Sequence, residues 1–146
     1  MKTEKEKKSQ KVIRSRPKPK SPNSGAKARR KGHTYERNIV KFFKDLGFEQ
    51  AKTSRLGSRL LDAAKVDICD IPFNVQCKAV EAHIDYYKLT EEITAEVNKL
   101  VPKRAEYPVI IFHKKNKKTN IVMTMEEFKK FFNTMWSNKL IYDHYV

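Results

Sequence analysis

No apolar run in this 146-residue chain outlasts a β-strand: the longest, YPVIIF at residues 107–112, is strand-sized. The core therefore has to be assembled from several short elements, and no segment is long enough to span a bilayer. The first residues, MKTEKEKKSQKV, lead into no apolar run, so no secretory signal peptide is expected. The length suits one domain with a modest core and not two. These points predict a cytoplasmic protein, in a host cell's cytoplasm if viral, or a nuclear one, with no membrane partner.

Periodicity places the elements. Tyr35, Ile39, Phe42 and Leu46 recur at helical spacing, widened by Val40 and Phe43, and predict a helix over 35–46 with Thr34 as N-cap and Gly47 just past its end. FEQAKTSR reads as a first strand, and LGSRLLDAAK as a loop with room for one helical turn. VDICDIPFNVQCK, residues 66–78, reads as a tight β-hairpin turning near Ile71-Pro72, since a proline cannot donate to a ladder. Tyr86, Leu89, Ile93, Val97 and Leu100 predict a second helix ending before Pro102. YPVIIFH and TNIVMT predict two strands joined by the polar turn KKNKK. TMEE at 124–127 is a capping box opening a third helix, whose Met125, Phe128, Phe131, Phe132 and Met135 are expected to face inward. The final SNKLIYDHYV is unassigned: a short strand or a docking tail. The order α-β-β-β-α-β-β-α predicts an α/β fold, a mixed central sheet flanked by helices.

Charge divides the chain. Of the formal net charge of +15, residues 1–33 hold +11. Their RPKPKSPNSG stretch carries too little apolar surface to offset ordering entropy. Residues 1–31 are predicted to be a disordered basic arm and 32–146 the folded domain. The excess argues for a polyanionic partner, which means nucleic acid or an anionic membrane, and the arm suits release of counterions from a phosphate backbone. A solubilising or localisation tail is the ordinary alternative.

The hairpin raises a chemical question. Side chains alternate along a strand, so Gln76 and Lys78 share one face, and Asp67 on the neighbouring strand can join them. An ionised Asp and an amide carbonyl are hard oxygen ligands suited to Mg²⁺ or Mn²⁺. A lysine beside them can orient a water or stabilise charge on a phosphoryl group. Glu36 flanks the buried stripe of the first helix and is a further ligand candidate; a surface acid near the helix dipole is the alternative. By pattern alone a solvated polar face accounts for all of this. Cys69 falls on the Asp67 face and Cys77 on the opposite one, so a disulfide between them is not expected; small buried apolar residues is the reading for both.

KGHTYERNIVKFFKDLGF, then SRLGS, VDI and NVQCK, resembles the archaeal-type Holliday junction resolvases and their phage relatives, members of the PD-(D/E)XK nuclease superfamily. The similarity runs from Lys31 to about Met135. The resemblance implies a restriction-endonuclease-like core in a PD-(D/E)XK domain over 32–146. It also implies a Mg²⁺-dependent endonuclease, with Mn²⁺ as a substitute, that cuts branched DNA as a homodimer. Glu36 then matches an accessory metal ligand, Asp67 the metal-binding aspartate, and Lys78 the catalytic lysine. Gln76 stands where a Glu is usual, which weakens the donor set by one charge. Ser54 and Ser58 match serines near the scissile phosphate. Arg55 and Arg59, Arg29, Arg30 and Lys31 of the arm, and Lys114, Lys115, Lys117 and Lys118 of the turn are candidate phosphate contacts. The YPVIIF region and the third helix are candidate dimer elements, although both read better as core. Two alternatives stand beside this one: a non-catalytic nucleic-acid-binding protein, and a nuclease of the same superfamily acting on flaps, ends or RNA.

Overall fold

The computed structural model describes residues 23–137. Helix α1 spans Ser24–Asp45. It is followed by β1 (Lys52–Thr53), two short helices α2 (Ser54–Gly57) and α3 (Arg59–Ala63), β2 (Ile68–Cys69) and β3 (Asn74–Lys78). Then come α4 (Tyr86–Leu100), a 3₁₀ turn (Pro102–Arg104), β4 (Val109–Lys115), β5 (Lys118–Val122) and α5 (Met125–Ser137). The class is mixed α/β: strands β3, β4 and β5 form a three-stranded sheet, parallel between β3 and β4 and antiparallel between β4 and β5.

The core has two halves, one on each face of this sheet. Tyr35, Ile39 and Phe43 of α1 pack with Phe73, Val75, Ile110 and Phe112, joined by Phe131 and Met135 of α5. Leu61 and Ala64 beside α3 pack with Val66, Cys69, Ile93 and Val97 of α4, and Val109. Strand alternation produces the split, with Val109 facing α4 and Ile110 and Phe112 facing α1. The two cysteines are free and join different halves, Cys69 with α4 and Cys77 with α1.

Several sequence expectations need correction. The first helix begins at Ser24 and not at Tyr35, so residues 24–31, assigned to the basic arm, are its opening turns. Ala26, Lys27, Ala28, Arg29, Arg30 and Lys31 are strong helix formers, and the helix continues through Thr34 without stopping to cap. The arm expectation for 1–22, and most of the unassigned C-terminal stretch, lie outside the described residues. The helix ends as expected at Gly47. With φ at 104°, Gly47 donates its N–H to Lys44 O, and Phe48 N–H reaches Phe43 O, which is a Schellman motif. The first strand shrinks to two residues, because Ser54 already opens α2.

The 66–78 hairpin is not a hairpin ladder. β2 pairs antiparallel with β1, while β3 runs parallel to β4, with Gln76 opposite Ile111 and Lys78 opposite His113. Asp70 takes φ 60° at the turn, and Arg104 holds the connection by donating to Ile71 O, Phe73 O and the Asn74 side chain. The β4–β5 turn is the expected polar one. Asn116 and Lys117 both have positive φ, as a two-residue primed hairpin turn requires.

On α5 the inward stripe is only partly right. Phe131 and Met135 reach the core, but Met125, Phe128 and Phe132 are exposed, while Glu127 and Thr134 are buried. Thr124 Oγ1 accepts from Glu127 N–H as in a capping box. The Glu127 carboxylate, however, accepts from Val109 N–H at 2.8 Å and from Lys130, so it anchors the helix to the start of β4. That anchor sets the helix rotation and turns the flanking aromatics outward.

Candidate active site

The outer edge of β3 has no strand neighbour in its sheet, and Asp67 covers it. Asp67 N–H donates to Val75 O at 2.7 Å, and its carbonyl accepts from Ser54 N–H at 2.8 Å, which ties β3 to the start of α2. One side-chain oxygen, Oδ2, accepts from Cys77 N–H and from the Gln76 amide, both at 2.6 Å. The edge N–H of Cys77 is thus satisfied by a carboxylate where a further strand would otherwise sit. Asp67 and Gln76, nine positions apart, meet because β2 and β3 run side by side here, even without a ladder.

Electrostatics mark Asp67 out. Burial pushes its carboxyl up to about 7, and the nearby Glu36 charge adds to the shift, while the Cys77 N–H bond and the Lys78 ammonium oppose it. The charges of Glu36 and Lys78 thus both reach Asp67, with opposite effect. The Cys77 thiol is lifted well above its ordinary value, through burial first and then the charges of Asp67 and Glu36, so Cys77 stays neutral. Glu36, on the flank of α1, accepts from Arg55 at 2.5 Å. Ser54 is fully buried, and its hydroxyl has no partner among the described residues. This hydroxyl lies one backbone hydrogen bond from Asp67, since Ser54 N–H donates to Asp67 O.

The donors suit a hard divalent cation: the carboxylates of Asp67 and Glu36 and the amide oxygen of Gln76, whose NH₂ end is the one turned to Asp67. Among the described residues no three His, Cys, Asp or Glu side chains gather into a metal cluster. Two carboxylates with an amide is nonetheless the donor economy by which Mg²⁺ is held when waters and substrate phosphate complete its shell.

The other sequence-predicted residues divide. Arg30, Lys31 and Lys114 come together around a cleft of about 380 Å³ that also includes Ala79, the residue after Lys78. Arg29 is exposed one position away on α1. Arg55 joins the site through Glu36. Ser58 does not: it is the N-cap of α3, and its hydroxyl accepts from Leu61 N–H. Arg59 is exposed on α3, with no bond into the cluster among the described residues. Lys115, Lys117 and Lys118 sit at the β4–β5 tip, which Asn116 N–H ties to Glu81 on the β3–α4 connection. Sequence reading missed His113. It is buried on β4, with Nε2 bonding Val80 O and Nδ1 bonding Tyr86 OH, each at 2.7 Å, and it fixes the backbone just after Lys78. Its position inside an apolar strand was the available signal.

What the fold and this site define is a mixed α/β protein with a hydrogen-bonded Asp–Gln pair at one edge of its sheet and a lysine two residues further along the same strand. Set beside models of protein families, curated proteins and solved structures, the chain matches none.

Proposed function

We propose that the chain is a metal-dependent endonuclease with a restriction-endonuclease-like core, cutting four-way or otherwise branched DNA by phosphodiester hydrolysis. The observation that carries the reading is the largely buried Asp67 carboxyl, hydrogen-bonded by the Gln76 amide and the Cys77 N–H and raised to about 7, with Lys78 on the same strand as Gln76. Charged groups gathered and perturbed in this way cluster at functional sites.

Asp67, Gln76 and Glu36 would hold the cation, Mg²⁺ or Mn²⁺. When bound it polarises the scissile phosphate and lowers the pKa of a coordinated water. Lys78 then holds a positive charge beside the phosphoryl oxygens and orients the attacking water. The water oxygen bonds to phosphorus in line, the bond to the 3′ oxygen breaks, and that oxygen takes up a proton. The products are a 3′ hydroxyl and a 5′ phosphate. Ser54 donates its otherwise unpartnered hydroxyl at the same place. Arg30, Lys31 and Lys114 position the duplex arms through phosphate contacts that carry no sequence information. Symmetric cutting of a junction requires two such centres, and hence a homodimer. No described helix is long and apolar enough to cross a membrane.

The test is cleavage of a labelled four-way junction in Mg²⁺ by the intact chain, by Asp67→Ala and by Lys78→Ala. Cleavage is expected from the intact chain and lost in both variants, with junction binding retained. A panel of duplex, flap, junction and RNA substrates assigns the preferred structure. Absence of cleavage by the intact chain with any divalent cation removes the enzyme reading. The second reading, a non-catalytic nucleic-acid-binding protein, draws on Gln76, which supplies a dipole where a charge is usual; it predicts binding without cutting in the same assay.

A further inference from the structure

A second groove lies on the other flank of α1, between that helix and the β1–α2 segment. Its cations are His33 when protonated, Arg37, Lys41, Lys44, Lys52 and Arg55, and no carboxylate lines it. Two of them are already matched: Lys52 lies 3.1 Å from Asp70, and Arg55 bonds Glu36. Arg37, Lys41 and Lys44 have no ion-pair partner among the described residues. Positions 37, 41 and 44 fall on one stripe of the helix, where like charges at such spacing repel. An anion lying along the stripe would relieve this repulsion. The cavity measures about 540 Å³, which takes a molecule of nucleotide size. Its wall includes Val40 and Ala51, and at its lip Leu56 is 86 % exposed on the α2 turn. Its lining includes Arg55, bonded to the same Glu36 whose charge acts on Asp67.

We infer that this groove is the path of an unpaired nucleic-acid strand leading to the Asp67 centre. Arg37, Lys41 and Lys44 hold its phosphates, and the His33 ring and Leu56 pack against a base or sugar. A cationic groove with flat or apolar surfaces for the bases is how single strands are held without sequence preference. An anionic lipid surface would meet the charges but has no use for a nucleotide-sized recess. The inference rests on the nucleic-acid reading above and adds to it a preference for unpaired strand.

The test is fluorescence anisotropy with oligo-dT and with a blunt duplex of equal length, across a salt series, using the full chain and the triple variant Arg37→Gln/Lys41→Gln/Lys44→Gln. All three side chains are exposed, so folding is retained, and circular dichroism checks it. The triple variant should lose about ten-fold or more in oligo-dT affinity at low salt. Its log–log salt slope should fall by about 2, at roughly 0.7 per phosphate contact on a single strand. Duplex affinity should change far less. Leu56→Ser should weaken oligo-dT binding about five-fold with the slope unchanged, as loss of a base contact requires. Unchanged oligo-dT affinity and slope in the triple variant, or equal losses on oligo-dT and duplex, overturn the inference while leaving the nucleic-acid reading intact. If the intact chain binds neither ligand, that reading itself falls. Binding to anionic vesicles that equals oligo-dT binding and is lost in the triple variant assigns the groove to lipid instead.

Discussion

Asp67 is the residue on which the site turns, and its ionisation opposes folding. Its carboxyl rises from an ordinary 3.8 to about 7 in the folded chain. Between those values the folded state holds more protons than the unfolded one, so stability falls as pH rises through the window. The loss is complete above about 7 and amounts to roughly 4 kcal/mol. Asp67→Asn keeps an acceptor for Cys77 N–H and removes the charge. Its melting temperature should match that of the intact chain near pH 4 and exceed it at pH 8, with cleavage abolished. Scanning calorimetry across pH reads the difference, and Mg²⁺ should raise the melting temperature of the intact chain at pH 8 but not that of the variant. Gln76→Glu makes the opposite change, placing a second carboxylate beside Asp67. Without metal it should cost about 1–3 kcal/mol. With Mg²⁺ or Mn²⁺ it should bind the cation more tightly, by isothermal titration, and keep or raise the cutting rate. That Gln76 and Lys78 lie on one side of their strand was legible from a period of two; the Asp67–Gln76 contact was expected from a hairpin that is not formed, and it arises instead where Asp67 caps the open edge of β3. The role of Ser58 was not legible, since a serine that caps a helix and one that meets a phosphate are the same residue type.

Among the elements, helices were read better than strand partners. Helical periodicity is local, so α4 and the end of α1 could be taken from spacing and from Gly47 alone. Pairing is not local: β3 finds β4 across α4, a choice that no pattern within 66–78 contains. On α5 the aromatic stripe misled, because the buried Glu127–Val109 bond fixes the rotation that apolar spacing was meant to fix. The Schellman motif offers a clean check. A Cβ on Gly47 would meet no neighbouring atom within 4 Å, so Gly47→Ala carries only the penalty of φ at 104°. It should lower stability by about 1–2 kcal/mol in urea unfolding, with the m-value unchanged. Since α1 carries Glu36, cation affinity should hold while the folded fraction falls.

For the whole molecule, charge was the most legible property and its placement the least. Composition argued for a polyanionic partner without saying where it would bind, and the cations of α1 could be sorted into two flanks only once the helix was seen to start at Ser24. Residues 1–22 are the rest of the basic reservoir. Their removal should weaken junction binding and flatten its salt dependence, while cleavage at saturating protein proceeds at the intact rate. Electrophoretic mobility shifts at several salt concentrations, paired with single-turnover cutting, measure both.

The parallel union of β3 with β4 has a consequence for when the proposed site is first assembled. Glu36, Ser54, Asp67, Gln76 and Lys78 all leave the ribosome before residue 109, so a growing chain holds every proposed reactive group well before the strand that seats them. Without β4, the segment bearing Gln76 and Lys78 has no sheet to join, and the carboxylate has no ordered amide to meet. The proposed centre is therefore assembled late in synthesis, once β4 is available to pair with β3.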